Sequence, residues 1–139
     1  MLFDITPNIC ARPEVENILS IYMDNLRKIS ALDVVLALPG HRSPGSVSMA
    51  ERAGRIIAHH ERRLDEIVRI LSEHPNTTAY EITALMSWKI RARNWDEFPL
   101  ALKWTALWEA FAHLDCLVKT GRISRTTRAD GIFVYSAIL

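Results

Sequence analysis

The interpretation of this chain is decided by the stretch Asp33-Val34-Val35-Leu36-Ala37-Leu38-Pro39-Gly40-His41. Residues 34–38 are apolar without alternation, which is typical of a strand covered on both faces. Pro39 and Gly40 end that strand, because glycine permits the sharp bend that presents His41. A histidine at the end of a buried strand is a common metal ligand or catalytic base. The stretch therefore predicts one residue of a catalytic site.

The composition is that of a soluble globular protein, with 49% hydrophobic and 24% charged residues among 139. The formal net charge is +1, so no strong overall field favours nucleic acid or an anionic membrane. Cys10 and Cys116 lie far apart, and we interpret both as free thiols rather than as a disulfide or zinc pair. No stretch suits a bilayer span or a secretory signal. These features predict a cytoplasmic protein with no membrane partner.

The first part of the chain predicts a helix from about residue 13 to 29, followed by the strand at 34–38. One helix and one strand cannot bury their own apolar faces, and the sequence supplies no further strand for a sheet. Residues 43–48 are rich in Ser, Gly and Pro and mark a boundary. We therefore divide the chain into units 1–45 and 46–139.

The second unit predicts helices at 49–73, 79–89 and 99–119, and then a β-hairpin with strands near 123–125 and 132–135. Helix starts and the hairpin turn have local signals, namely the capping pairs Ser48/Glu51 and Thr78/Glu81 and the turn Asp130-Gly131. The fold class is therefore mainly α. Residues 46–139 are expected to form a winged-helix-like domain of three helices plus a C-terminal hairpin.

The third helix is expected to be buried rather than to read DNA. It is apolar nearly all round, and its lysines Lys103 and Lys119 are set against Glu109 and Asp115. A helix that enters the major groove needs basic and amide side chains on one face. DNA is therefore a disfavoured partner. Arginines on the hairpin leave contact with an RNA strand open.

The histidines of the second unit do not predict a metal site. His59 and His60 are adjacent on a helix and point about 100° apart, so they cannot chelate one ion. We interpret them as solvated or amphipathic helix histidines, and His74 and His113 as packed or capping residues. The four tryptophans are interpreted as core packing in preference to the roof of a substrate cleft; they are Trp88, Trp95, Trp104 and Trp108.

Several motifs in order resemble the C-terminal end of metallo-β-lactamase-fold hydrolases, in the branch with an appended winged-helix-like domain. They are Ile-Thr-Pro-Asn-Ile at 5–9, Leu-Ala-Leu-Pro-Gly-His at 36–41, Ala-His-His-Glu-Arg-Arg at 58–63, Thr-Ala-Tyr-Glu at 78–81 and the helix at 104–117. By this resemblance, residues 1–45 are the helix-strand remnant of the αββα metallo-β-lactamase fold.

The resemblance implies that His41 is the last histidine ligand of a dinuclear metal site, usually zinc, in a complete parent protein. Such metals lower the pKa of a bridging water. The other ligands of the family would lie before Met1, Asp4 is a poor substitute for the bridging aspartate, and Arg42 stands where glycine is usual. One imidazole cannot hold zinc tightly. We therefore expect this chain alone to have no catalytic residues, to hold no cofactor and to be inert.

Two functions follow from these features. The first is a non-catalytic C-terminal fragment of a metal-dependent hydrolase, whose winged-helix-like domain is a lid or docking module beside the missing N-terminal catalytic domain. The alternative is a free-standing winged-helix module for dimerisation or partner binding, with weak nucleic-acid binding allowed. The orphan segment 13–38 predicts either a homodimer or disorder. The sequence does not specify the parent's substrate.

Overall fold

The computed structural model describes residues 6–12, 14–38, 47–89 and 92–138. Within them the chain is mainly helical, with one small sheet. The elements in chain order are α1 (Ile18–Ser30), α2 (Met49–Glu73), β1 (Thr77–Thr78), α3 (Ala79–Leu85), α4 (Leu100–Lys119), β2 (Ile123–Thr127) and β3 (Phe133–Ala137).

The long helix α2 has the bounds that the sequence predicts. Ser48 is its N-cap, and the Ser48 hydroxyl accepts a hydrogen bond from the Glu51 backbone N–H at 3.1 Å. One face of α2 is buried along its length, at Ile56, Ile67 and Leu71 among others. This helix is the spine against which the other elements pack.

Helix α3 begins with the predicted capping box but ends earlier than expected. Thr78 and Glu81 each accept the other's backbone N–H, at 3.3 and 2.9 Å. The helix ends at Leu85 rather than near residue 89, because Ser87 donates its N–H to Glu66 at 2.7 Å instead of to Thr83. The Thr83 carbonyl accepts from the Trp88 indole at 2.8 Å. Tertiary partners therefore end this helix.

The sheet contains the predicted hairpin and one strand that the sequence did not predict. Strands β2 and β3 are antiparallel, and Gly131 has the positive φ of 83° that their turn requires. The strand β1 is only two residues long and pairs with β3, with Thr77 opposite Tyr135. The strand order is β1-β3-β2. A two-residue strand has no periodicity to detect, so only its pairing reveals it.

The predicted strand at residues 34–38 is wrong for this structure. These residues form neither helix nor strand, and Val35 and Leu36 are 99% and 69% exposed. A strand is stabilised by hydrogen bonds to a neighbouring strand, and none of the described residues offers one here. The apolar pattern is present, but its partner surface is not found within the described ranges.

Helix α1 begins later than predicted and belongs to the main core. Asn17, in the left-handed conformation, is its N-cap, and the Asn17 N–H donates to Asp115 of α4 at 2.7 Å. Leu19 and Met23 are buried in one cluster with Leu71 and Leu117. Helix α1 therefore packs directly on α2 and α4. The division of the chain at residue 45 stays a prediction.

Candidate functional site

The expected metal ligand His41 lies outside the described residues, as do Asp4 and Arg42. Within the described ranges, no group of three or more His, Cys, Asp or Glu side chains could hold a metal ion. The part of the chain that the structure describes therefore does not fit a metal centre, and we derive no chemistry from one.

The two cysteines are free thiols, as the sequence predicts. Burial raises the pKa of both Cys10 and Cys116, with Glu109 and Asp115 as further causes respectively. A raised pKa keeps a thiol protonated and weakly nucleophilic at neutral pH. Neither cysteine has the environment of a catalytic nucleophile.

The structure brings together two histidines that the sequence alone does not connect. His60 of α2 and His113 of α4 are both fully buried, and their Nδ1 and Nε2 atoms lie 3.1 Å apart. The interpretation of His60 as a solvated helix histidine is therefore wrong. His113 is packed, as expected, but it is not alone. The two histidines are 53 positions apart in sequence, and helix periodicity does not report which faces meet, so the sequence did not predict the pair.

The hydrogen bonds assign the tautomers of this pair. The Nδ1 of His113 lies 2.8 Å from the Glu109 carbonyl oxygen, so it carries a proton and donates. The Nε2 of neutral His113 is then an acceptor, and the Nδ1–H of His60 donates to it. This leaves the Nε2 of His60 as a buried acceptor without a hydrogen-bond partner among the described residues. An uncompensated buried acceptor is rare and costs stability.

Burial keeps both histidines neutral. Desolvation lowers the pKa of His60 to about 3, with His113 and His59 as further causes. Desolvation also lowers the pKa of His113 to about 4, partly opposed by the bond to Glu109. Arg63 on α2 acts in the same direction on both rings. The pair is therefore a structural hydrogen bond between neutral rings at physiological pH.

Arg63 joins α2 to the loop after α3. Its guanidinium is mostly buried, donates to Glu66 at 2.6 Å and to the Ser87 carbonyl at 2.7 Å, and stacks 4.4 Å from the centre of the Trp88 ring. Trp88 therefore serves packing, as predicted. Among the described ion pairs, Arg63–Glu66 is the one with both side chains largely buried. The other pairs are exposed and contribute little to stability.

The remaining tryptophans are only partly covered. Trp104 is 63% exposed, and its ring meets the ring of Trp108 edge to face at 5.8 Å. Helix α4 carries Trp104 and Trp108, and the sequence predicts that this helix, apolar nearly all round, is buried. Its N-terminal half is not, since Leu100 is also exposed.

A cleft of about 410 Å³ lies between the segment before α1, helix α4 and the sheet. Trp108 and Phe111 of α4 form one wall, and Phe133 and Tyr135 of β3 form another. Arg125 of β2 and Arg12 add positive charge at the cleft. The cleft could not be predicted from the sequence, because its walls come from segments at opposite ends of the chain.

No helix within the described residues is long and apolar enough to cross a membrane. No family model matches the chain. In sequence, the chain is 31% identical over an alignment of 86 residues to the beta-lactamase-like protein 2 homolog of Caenorhabditis elegans, and the match covers 59% of the chain and 29% of that protein.

In structure, the chain is similar to a beta-lactamase domain protein from Burkholderia ambifaria, with a TM-score of 0.78 and 28% identity. This match covers 94% of the chain and 37% of that protein. A metallo-beta-lactamase family protein from Thermus thermophilus gives a TM-score of 0.75 and 25% identity, over 99% of the chain and 39% of that protein. These neighbours are metallo-β-lactamase-fold proteins, which confirms the resemblance. The chain spans well under half of each relative.

Proposed function

We propose that this chain is the non-catalytic C-terminal part of a metal-dependent hydrolase related to metallo-β-lactamases. The proposal rests on the share of each chain that the structural alignments cover. The chain aligns over nearly its whole length with metallo-β-lactamase-fold proteins, yet accounts for only 37% and 39% of the two solved structures. Most of such a protein, including the other expected metal ligands, then lies outside this sequence. The metal would be zinc, with His41 as the last ligand.

The second unit, residues 46–139, would be a winged-helix-like domain. The supporting observation is the order of elements from α2 to β3, which is helix, strand, helix, helix and two antiparallel strands. We propose that this domain serves as a lid or docking module. The exposed ring of Trp104 and the cleft lined by Trp108 and Phe111 support a role in contacting a substrate or a neighbouring domain.

The exposed segment at residues 34–38 supports the same proposal. Its apolar side chains have no partner surface among the described residues, and it closely precedes His41 in the sequence. Added to the sheet of a catalytic domain, these residues would become a buried strand, and His41 would be placed at its end. The same side chains also support the alternative function, a free-standing dimerisation module, since a second copy of the chain could cover them.

Zinc binding by the isolated chain tests the proposal. The chain is purified with excess zinc, desalted, and its metal content is measured by mass spectrometry, alongside His41→Ala and a His74→Ala control. We expect far less than one zinc per chain in all three, because one imidazole binds zinc weakly. We also expect no hydrolysis of simple ester or thioester substrates above the buffer rate.

One tightly held zinc that His41→Ala removes and His74→Ala retains would contradict the inert-fragment proposal. It would mean that a second copy contributes ligands to a complete site. Sedimentation velocity over a wide concentration range distinguishes the fragment from the alternative function. A concentration-independent dimer would favour a free-standing dimerisation module.

A further inference from the structure

We propose that the cleft between Arg12, Trp108 and Arg125 is a binding site for a small aromatic carboxylate. The proposal goes beyond the hydrolase assignment, because none of these residues takes part in the expected metal site. The cleft volume of about 410 Å³ falls in the range of small-ligand pockets.

The wall of the cleft before α1 consists of residues 11–12 and 14–17, which contact α4 at three points. The Ala11 N–H donates to the Trp108 carbonyl at 3.1 Å, and the Asn17 N–H donates to the Asp115 carboxylate at 2.7 Å. Glu16 forms an ion pair with Lys119 at 3.0 Å. The segment therefore runs beside α4 with contacts at both ends.

The walls of the cleft select an aromatic body. The rings of Trp108 and Phe111 lie 5.8 Å apart on α4, and Phe133 and Tyr135 project from the same face of β3. Four aromatic side chains around one volume favour a flat ring, which can stack or meet them edge to face. Phe133 is 47% exposed, so a ligand would cover apolar surface that is now in contact with water.

The lining of the cleft carries Arg12 and Arg125 together with Glu16 and Asp115, and an anion would bind at the arginines. Asp115 already accepts the Asn17 N–H, and Glu16 pairs with Lys119 outside the lining. Among the ion pairs of the described ranges, none involves Arg12 or Arg125.

Arg125 is the residue that we assign to the carboxylate of a ligand. Its guanidinium lies 4.7 Å from the centre of the Phe133 ring, which supports its flat face. Burial raises the pKa of the Tyr135 hydroxyl and the positive charge of Arg125 opposes this, so the guanidinium acts on that hydroxyl as well. The N–H edge of a guanidinium matches a carboxylate by a bidentate bond.

Isothermal titration calorimetry with 2-naphthoate tests the site, and 2-naphthamide is the neutral comparison of the same shape. We expect 2-naphthoate to bind at one site per chain and at least about tenfold more tightly than 2-naphthamide. Arg125→Gln should weaken 2-naphthoate at least about tenfold, which is the scale of a lost charge-assisted interaction, while leaving 2-naphthamide unchanged.

The matched control is Arg128→Gln. Arg128 lies on the same hairpin but pairs with Asp130 in the turn, outside the cleft, so its replacement should not change either affinity. Both arginines are exposed, so both variants should fold, which circular dichroism verifies. Phe133→Ala should weaken both ligands, because it removes the apolar wall without removing charge.

Three results would overturn the proposal. They are no binding of 2-naphthoate, equal binding of the acid and the amide, and equal weakening by Arg125→Gln and Arg128→Gln. A dimer that closes the cleft would appear as absent binding together with a doubled mass in sedimentation. That result would also reject the ligand site and assign the cleft to a second copy of the chain.

Discussion

Two apolar stretches of this chain differ in their burial. The C-terminal half of α4 is buried, and Leu117 is fully enclosed. The segment at residues 34–38 is equally apolar, yet Val35 and Leu36 lie mostly in water. This difference shows that an apolar stretch is buried only where a second apolar surface packs against it.

For α4, the described residues include the apolar surface that packs against it. Helix α4 meets α1, α2, α3 and β2, and these elements enclose Leu117 together with Leu19 and Leu71. The segment at 34–38 follows α1 into solvent and meets no comparable surface among the described residues. The contrast can be tested at four places in the chain.

Leu117→Ala should destabilise the protein by about 2–5 kcal/mol, because it opens a cavity in a site where neighbouring helices cannot close fully. The free energy of unfolding is measured by urea titration. Leu100→Ala is the matched control on the same helix, since Leu100 is 83% exposed and its loss should cost less than about 0.5 kcal/mol. Equal effects of the two changes would contradict the described core.

Lowering the pH should destabilise the fold through His60 and His113. Burial lowers the folded-state pKa of both below the usual 6.5, so the unfolded chain binds more protons as the pH falls below that value. Each histidine then removes up to about 1.4 kcal/mol per pH unit, until the pH reaches about 4 for His113 and about 3 for His60. Urea midpoints between pH 7.5 and 5 measure the slope.

His60→Gln should reduce that slope, because it removes one of the two buried rings. Histidine ring signals in NMR give an independent reading that does not depend on variant stability. Titration of His60 or His113 near pH 6.5 would show that the pair is not buried and neutral.

Thr78→Ala should cost about 1 kcal/mol, because it removes the side-chain acceptor of the α3 capping box and one donor to Glu81. The Thr78 backbone N–H, and after it the Thr78 hydroxyl, donate to the Glu81 carboxylate and lower the pKa of Glu81 below its usual value, so their contribution is present above that value and is lost in acid. The control is Ser72→Ala on the exposed face of α2, where the hydroxyl bonds only the Val68 carbonyl. Thermal unfolding by circular dichroism compares the two. A cost no larger than that of Ser72→Ala would argue against the capping box.

Val35→Lys should change the free energy of unfolding of the monomer by less than about 0.5 kcal/mol, because the side chain it replaces is already in water. The same variant distinguishes two partners of the segment. A wild-type dimer in sedimentation that Val35→Lys dissociates would assign the segment to a second copy. A large loss of stability without any dimer would show that this region is buried within the monomer.

Local signals predicted those parts of the fold that depend on neighbours in sequence. Ser48 and Glu51 begin α2, Thr78 and Glu81 begin α3, and the Asp130-Gly131 pair makes the hairpin turn. These signals act within four residues, so the chain itself contains their partners. The resemblance to metallo-β-lactamase-fold proteins was also available, because its motifs are short and ordered along the chain.

Contacts between residues far apart in the sequence decided the other features of the fold. The sequence determined where α2 and α3 start, where the hairpin turns and to which proteins the chain is similar. The tertiary structure decided that His60 meets His113, that α3 ends at Leu85 because Glu66 captures the Ser87 N–H, and that residues 34–38 stay exposed. The physical reason is common to all three. A side chain's burial and bonding depend on which surface faces it, and periodicity along one element carries no record of that surface.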